Sequence, residues 1–300
     1  MTTHSPAVLK AELALDARAT LGECVRWDER EKLIYWVDIP GKKMHRFDPA
    51  TGNDDVMELD QEMGCFALAK SGGFIAGVRS GYARITAFGG EVQRLTSPDY
   101  DPSKVRFNDG RCDPAGRFWA GTMWEPRDRA GGHIYCLETD GRFSAKANPV
   151  VISNGITFSP DHQTFTLADT PNHVLWAFDY DIDSGNVGSR RVLRTYDPAK
   201  GRPDGACVDA EGNLYVAMFT GGRVEKLSPK GELLATIEVP VPNVTCCTFA
   251  GDDLRTLYIT TARTRMTVAE LAAKPHAGGL FAVRIEGDDA AGIVESRYAG

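Results

Sequence analysis

Glu23, Asn108, Asn154 and Asp204 carry the side-chain oxygens best placed for chemistry, because all four stand at one position of a repeat. Each lies ten residues upstream of the start of a short, largely apolar run, at Leu33, Phe118, Thr164 and Leu214 respectively. The same offset from the runs at Phe74 and Leu257 gives Gly64 and Cys247. If the six runs are equivalent, these positions face one axis. Two carboxylates and two amides then converge among segments rich in Val, Ile, Phe and Cys. Such convergence is costly unless something pairs with it, so a cation is expected there. Hard oxygen donors without histidine suit Ca²⁺, Mg²⁺ or Mn²⁺ better than a structural zinc site. Three or four protein ligands leave positions open for water or substrate, as metal-ion catalysis requires. An inert cation plugging a channel is the competing reading.

The elements that must hold these residues are strands. Short alternating or apolar runs recur, such as Leu33-Ile34-Tyr35-Trp36-Val37, Phe74-Ile75-Ala76-Gly77-Val78 and Leu214-Tyr215-Val216-Ala217. Each is followed by a second run closing on a turn, for example His45-Arg46-Phe47-Asp48-Pro49 or Val224-Glu225-Lys226-Leu227-Ser228. This is the pattern of an all-β chain. The apolar runs start 41, 44, 46, 50 and 43 residues apart, with turn phrases such as Asp113-Pro114-Ala115-Gly116 just upstream. A period of 40 to 50 residues with about four short strands per unit is that of propeller blades. Six units fill the chain without a composition shift, which predicts an all-β, six-bladed β-propeller with a central metal site, one domain over residues 1–300. A sandwich or jelly roll would not give six near-constant units. The segments Val8–Leu15 and Ile293–Tyr298 are expected to pair in the last blade and close the ring, removing its open edges. Val268 to Lys274 reads as a short surface helix.

Composition narrows the partners. The net charge of −7, with no run of Lys or Arg, offers no basic stripe for a nucleic acid. No apolar stretch is long enough to span a bilayer, and Met1 to Lys10 lack the apolar core of a signal peptide. The seven cysteines form no CxxC pair, which favours a reducing, cytoplasmic setting with thiols acting as small core residues. Cys246-Cys247 is expected to be core rather than a thiol site. His4, His45, His133, His162, His173 and His276 fall in turns or outer segments, away from the converging positions. Asp179 to Gly185 opens like an EF-hand loop, but Ser184 stands where glycine is required and Arg190 where the bidentate glutamate belongs. It is expected to be a hairpin turn. The sequon Asn243-Val244-Thr245 carries no meaning without export.

Over nearly its whole length the sequence resembles the SMP-30/gluconolactonase/regucalcin-like family. The resemblance rests on Leu21-Gly22-Glu23 with Trp27, Arg106-Phe107-Asn108-Asp109-Gly110 with Asp113-Pro114-Ala115-Gly116-Arg117, and Gly121-Thr122-Met123. It continues through Ser153-Asn154-Gly155 with Ser159-Pro160-Asp161, Pro203-Asp204-Gly205, Gly221-Gly222-Arg223-Val224, and Thr260-Thr261-Ala262-Arg263 with Gly278-Gly279. It implies a six-bladed propeller with one divalent metal ion in the channel (calcium, zinc, manganese, magnesium or iron) that hydrolyses aldonolactones. By the same resemblance Glu23, Asn154 and Asp204 would be the metal ligands, Asp204 also the acid/base residue, and Arg106 and Asn108 substrate contacts. Two departures stand out. Cys24-Val25 follows the glutamate where the family often has Gly-Pro, and the family's substrate-contacting glutamate is matched only loosely, by Glu125.

The implied reaction is addition of water to a lactone carbonyl, with Lewis-acid help from the metal and Asp204 orienting or deprotonating the water. Arg106 and Asn108 would hold the ring hydroxyls. Glucono-, xylono-, arabinono- and galactonolactone are the expected substrates, for a monomer or small homo-oligomer with no nucleic-acid or membrane partner. Hydrolysis of organophosphates or aryl esters on the same metal site is an alternative. A non-catalytic calcium-binding propeller is another, though such scaffolds recognise partners on surface loops and need no polar residues converging on the axis.

Overall fold

A computed structural model describes residues 7–286 and 291–300; His4 lies outside them. The described chain forms six antiparallel sheets arranged as a β-propeller. The innermost strands, in chain order, are Gly22–Asp28, Met63–Leu68, Val105–Cys112, Ser153–Phe158, Arg202–Val208 and Val244–Ala250. Neighbouring inner strands touch around the full circle. They are buried along almost their whole length, as strands covered on both faces must be. Large aromatics fill the spaces between blades: Trp36 and Trp119 are 1% and 0% exposed.

The ring closes through the N-terminal segment, not through both ends in one blade. Glu12–Leu15 is the outermost strand of the last sheet, beside Leu280–Arg284, while Ala7–Lys10 adds a fifth, parallel strand to the preceding sheet, beside Leu233–Glu238. The C-terminal segment does something else. Gly292 bridges to Asp209 and Tyr298 to Ala69, so residues 292–298 cross the far end of the channel as a strap. Tyr298 is buried at one end of the strap while Ile293 and Val294 stay exposed, and the segment makes only isolated bridges and does not extend a sheet. The surface helix is Val268–Ala273, started by a capping box in which Thr267 and Glu270 satisfy each other's backbone N–H. Asp181 to Asn186 is a hairpin turn held by Asp181 accepting from Ser184 Oγ at 2.6 Å and from Asp183 N–H at 3.0 Å, as expected for the false calcium loop. All seven cysteines are buried and unbridged.

Every inner strand carries a β-bulge at the same height. The register slips by one residue after Glu23, Met63, Phe107, Asn154, Pro203 and Val244. A bulge re-aims a side chain while the rest of the ladder stays paired. Six bulges at one level make a ring from which side chains turn toward the axis. The sixth member of that ring is Thr245 and not Cys247, because Val244 and its partner Thr261 stand 17 residues apart around their hairpin, against 15 for Met63 and Val78, Phe107 and Thr122, and Pro203 and Met218, so a fixed offset overshoots by two. Thr245 donates its hydroxyl hydrogen to Gly22 O at 2.5 Å, and Cys247 lies in the core with its thiol 3.3 Å from Tyr215 O. Gly64 leaves its place in the ring blank because a Cβ there would sit 2.0 Å from Phe107 O.

Candidate metal and lactone site

Glu23, Arg106, Asn108, Asn154 and Asp204, the five residues predicted for the site, line one cavity of about 100 Å³ at the upper mouth of the channel. All five are buried, Asn154 at 3% and Asp204 at 4% exposure. Two of them are set by the same device. Asp38, at the end of its strand, accepts from Thr20 and Leu21 N–H at 2.9 and 3.0 Å and so fixes the chain as it enters the strand of Glu23. Asp169 does the same for Val151 and Ile152, at 3.2 and 3.3 Å, before Asn154. The residue after each of Glu23 and Asn154 is then left-handed: Cys24 at φ +52° and Gly155 at φ +59°. Glycine adopts this conformation freely, whereas a cysteine is strained by roughly 1 kcal/mol. The departure at Cys24 is therefore tolerated, and its thiol anchors it to the neighbouring blade by accepting from Phe66 N–H at 3.2 Å. Burial pushes that thiol up to about 11, so beside Glu23 it is neutral and no nucleophile.

A directed chain of hydrogen bonds orients the amides. Thr170 Oγ1 donates to Pro203 O at 2.8 Å and must therefore accept from Asn154 Nδ2, at 2.8 Å. This turns Asn154 Oδ1 toward Asn108, whose Nδ2 donates to it and to Ser153 O, each at 2.9 Å. Asn108 Oδ1 in turn accepts from Arg106 Nη1 at 2.8 Å. The order is fixed from a backbone carbonyl outward, and Asn154 Oδ1 keeps a lone pair for a cation. Both N–H groups of Asn108 are engaged within the protein. Its task is to aim Asn154 and Arg106, with only an oxygen lone pair left for a substrate. Glu125 does not line the cavity. It holds Arg79 in a bidentate pair at 2.9 and 3.0 Å, Arg79 also pairs with Glu62, and Glu125 stands 3.7 Å from Arg106 Nε as a brace behind it.

The electrostatics ask for a cation. Burial, then repulsion from Asp109, pushes the Glu23 carboxyl from 4.5 up to about 8. Asp204 is raised as well, by burial and then by Glu23 and Asp109. Asp109 is occupied by the Gly110 and Ile156 N–H groups at 2.8 and 2.9 Å. Asp204 Oδ1 is buried without a hydrogen-bond partner. Two destabilised carboxylates, one of them with an orphaned oxygen, and one oriented amide oxygen form an all-oxygen donor set, which fits a hard divalent cation held by Glu23, Asn154 and Asp204. A larger cavity of about 240 Å³ opens at the far end under the C-terminal strap. There Arg111 and Glu295 neutralise each other at 3.2 Å, so it makes no comparable demand.

Thr170 was invisible to the repeat arithmetic, since it follows the second strand of its blade. Thr170→Val should release Asn154 and weaken binding of a divalent cation by roughly tenfold, the low end for residues that orient a ligand. Thr170→Ser should restore it. Equilibrium dialysis with Mn²⁺ decides this: unchanged affinity in Thr170→Val would mean that Asn108 alone positions Asn154.

Residues 21–263 match the SMP-30/Gluconolactonase/LRE-like region family. The chain is 44% identical over 283 residues to a 6-deoxy-6-sulfogluconolactonase of Pseudomonas putida, covering 94% of this chain and 96% of that one. It is 38% identical over 298 residues to regucalcin of Oryctolagus cuniculus, covering 97% and 99%. Its fold superposes with a TM-score of 0.93 on the crystal structure of a calcium-binding protein, regucalcin, of Agrobacterium tumefaciens, at 27% identity over 99% of this chain and 100% of that one.

Proposed function

The chain belongs to the SMP-30/gluconolactonase/LRE-like family, and from that premise we propose that it hydrolyses a sugar lactone to the aldonic acid with one divalent metal ion bound by Glu23, Asn154 and Asp204. The observation that carries this reading is the buried, unpartnered Asp204 Oδ1 in the same cavity as Arg106. A carboxylate held short of partners is poised to take a proton or a cation, and a neighbouring guanidinium supplies donors for a polyhydroxylated ring. The names of the sulfogluconolactonase and regucalcin relatives support the lactone and the divalent ion respectively as the classes involved.

The chemistry is a net addition of water. The water oxygen bonds to the carbonyl carbon, the ring C–O bond breaks, the ring oxygen takes a proton, and the acid formed releases one near neutral pH. The cation, when bound, supplies Lewis acidity toward the carbonyl oxygen. Asp204 orients the attacking water and accepts its proton, and can return it to the departing ring oxygen. Arg106, braced by Glu125 and aimed by Asn108, holds the ring hydroxyls and fixes the carbonyl over the carboxylates. Cytoplasmic location belongs to the same proposal, resting on the seven unbridged thiols.

Proton release makes the test direct. Wild-type protein, stripped by chelation and reloaded with Ca²⁺, Zn²⁺, Mn²⁺ or Mg²⁺, is assayed with a pH indicator on glucono-, xylono-, arabinono- and galactonolactone, with an aryl ester and a phosphotriester alongside. Chelation should abolish lactone hydrolysis and reloading should restore it to different extents. Full activity in rigorously metal-free protein would remove the metal from the reaction, and turnover of the ester or phosphotriester alone would replace the lactone.

A further inference from the structure

The mouth of the cavity carries more positive charge than a neutral sugar lactone needs. Besides Arg106, three arginines line it: Arg127, Arg202 and Arg265. They come from three blades, at the turn after Phe118–Trp124, at the start of the inner strand Arg202–Val208, and at the turn after Thr256–Thr261. Four arginines against two carboxylates leave this mouth positive in a chain whose net charge is −7. Arginines elsewhere near the channel have internal partners: Arg26 donates to the Val25 and Gly110 carbonyls, and Arg79 pairs with Glu62 and Glu125, Arg111 with Glu295, Arg117 with Asp113, and Arg297 with Asp28. Among the described residues Arg127, Arg202 and Arg265 have no carboxylate partner, and Arg202 Nε is buried with no hydrogen bond at all. Arg127 and Arg265 both hold left-handed backbones, at φ +61°, in the turns that bring them to the rim. Cationic side chains gathered at one cleft with no internal carboxylate point to an anionic ligand outside the protein.

We propose that Arg127, Arg202 and Arg265 form a receptor for a tetrahedral oxyanion, a sulfonate or a phosphate ester, carried by the substrate lactone at the end remote from its carbonyl. Arg106 already supplies donors to the ring hydroxyls, and three further guanidinium groups, which donate and never accept, exceed what hydroxyls that must also give up a hydrogen can use. Three planar forks approaching from three blades match three oxygens around one centre better than the two oxygens of a planar carboxylate. The cation site lies deeper, at the ring of bulges, and the arginines lie around it at the mouth. A lactone whose carbonyl sits at Asp204 therefore directs its far end at the rim. The same field draws an anionic substrate inward, and the effect is screened by salt.

The reaction assigned to the substrate rests on the lactonase reading, but the oxyanion receptor itself does not. Two arms separate them. In the first, kcat/KM is measured on a neutral lactone and on its 6-phospho and 6-sulfo counterparts, for wild type and for Arg202→Gln, Arg265→Gln and Arg127→Gln/Arg265→Gln. Wild type should prefer an anionic lactone, and the ratio of anionic to neutral kcat/KM should drop by roughly tenfold to a hundredfold per arginine removed. The wild-type ratio should also decline as salt rises from about 50 to about 500 mM. The loop variants keep the proposal testable if the strand residue Arg202 proves essential for folding. In the second arm, calorimetry compares binding of 6-phosphogluconate, 6-sulfogluconate and gluconate, none of which needs hydrolysis. Tighter binding of 6-phosphogluconate or 6-sulfogluconate than of gluconate, lost in the loop variants, supports the receptor even if no lactone is hydrolysed, and the winner identifies phosphate or sulfonate. Equal binding of all three, or an anionic-to-neutral ratio unaltered in every variant, overturns the proposal whatever happens to lactone turnover.

Discussion

In Asp204→Asn, lactone turnover is expected to fall by roughly two to four orders of magnitude, the range for loss of a general base. The substitution keeps a carbonyl oxygen that can bind a cation in nearly the same place. It removes the basicity that takes a proton from water. Cation affinity should therefore fall less than turnover does, and metal content by mass spectrometry measured beside kcat separates the two. Arg106→Ala gives the contrast: its loss should appear mainly in KM and orientation, with metal occupancy near normal. Asn108→Ala should not behave like Arg106→Ala, because the Asn108 amide donates to Asn154 Oδ1 at 2.9 Å as well as accepting from Arg106. It should lose metal affinity and substrate affinity together. Near-normal turnover in metal-loaded Asp204→Asn would show that Asp204 is a ligand and nothing more.

The architecture and the polar ring were legible because both follow from periodicity. A blade is a repeating unit, so Glu23, Asn108, Asn154 and Asp204 share one offset from their apolar runs and arrive at one height of the channel. What fails is whatever depends on an exact count. At the height of Val244 the last inner hairpin is two residues longer than that of Pro203, so a fixed offset reaches Cys247 instead of Thr245. Strand pairing of the chain ends was also out of reach, since short apolar segments fit an outer strand or a strap equally well. Val8 and Leu13 became edge strands in different sheets, while Ile293 and Val294 crossed the channel floor. Residues that act through others left no trace at all. Thr170, Asp38 and Asp169 work by hydrogen bonds to backbone and to amides, and such residues also occur in ordinary turns. The mouth arginines lie in turns or at a strand start, where a charged residue is the expectation, so only their shared cavity distinguishes them.

Metal-free protein should lose stability as pH rises from about 4.5 to about 8, and Glu23→Gln should reverse much of that loss. The sign follows from proton binding. In the unfolded chain Glu23 gives up its proton near 4.5, whereas in the folded, metal-free state burial and Asp109 hold the proton to about 8. Between those values the folded state binds more protons than the unfolded state, so stability falls with rising pH. The contribution is fully present below about 4.5 and gone above about 8, and the raised Asp204 adds to it with the same sign. Each tenfold gain in proton affinity on folding is worth about 1.4 kcal/mol, which makes this a large effect for one cavity. A divalent cation cancels it by favouring the charged forms, so added Ca²⁺ or Mn²⁺ should raise the melting temperature far more at pH 8 than at pH 5. Glu23→Gln replaces the costly charge with a neutral amide of similar shape. Stripped of metal at pH 8, it should melt above stripped wild type, while its affinity for the cation drops by roughly a hundredfold or more. Stabilised when empty and weakened in binding, the variant would separate a ligand from a structural glutamate, whose removal lowers stability under both conditions. If stripped wild type melts equally at pH 5 and pH 8, then Arg26 and Arg106 already compensate Glu23 in the channel, and no cation is needed to explain its burial.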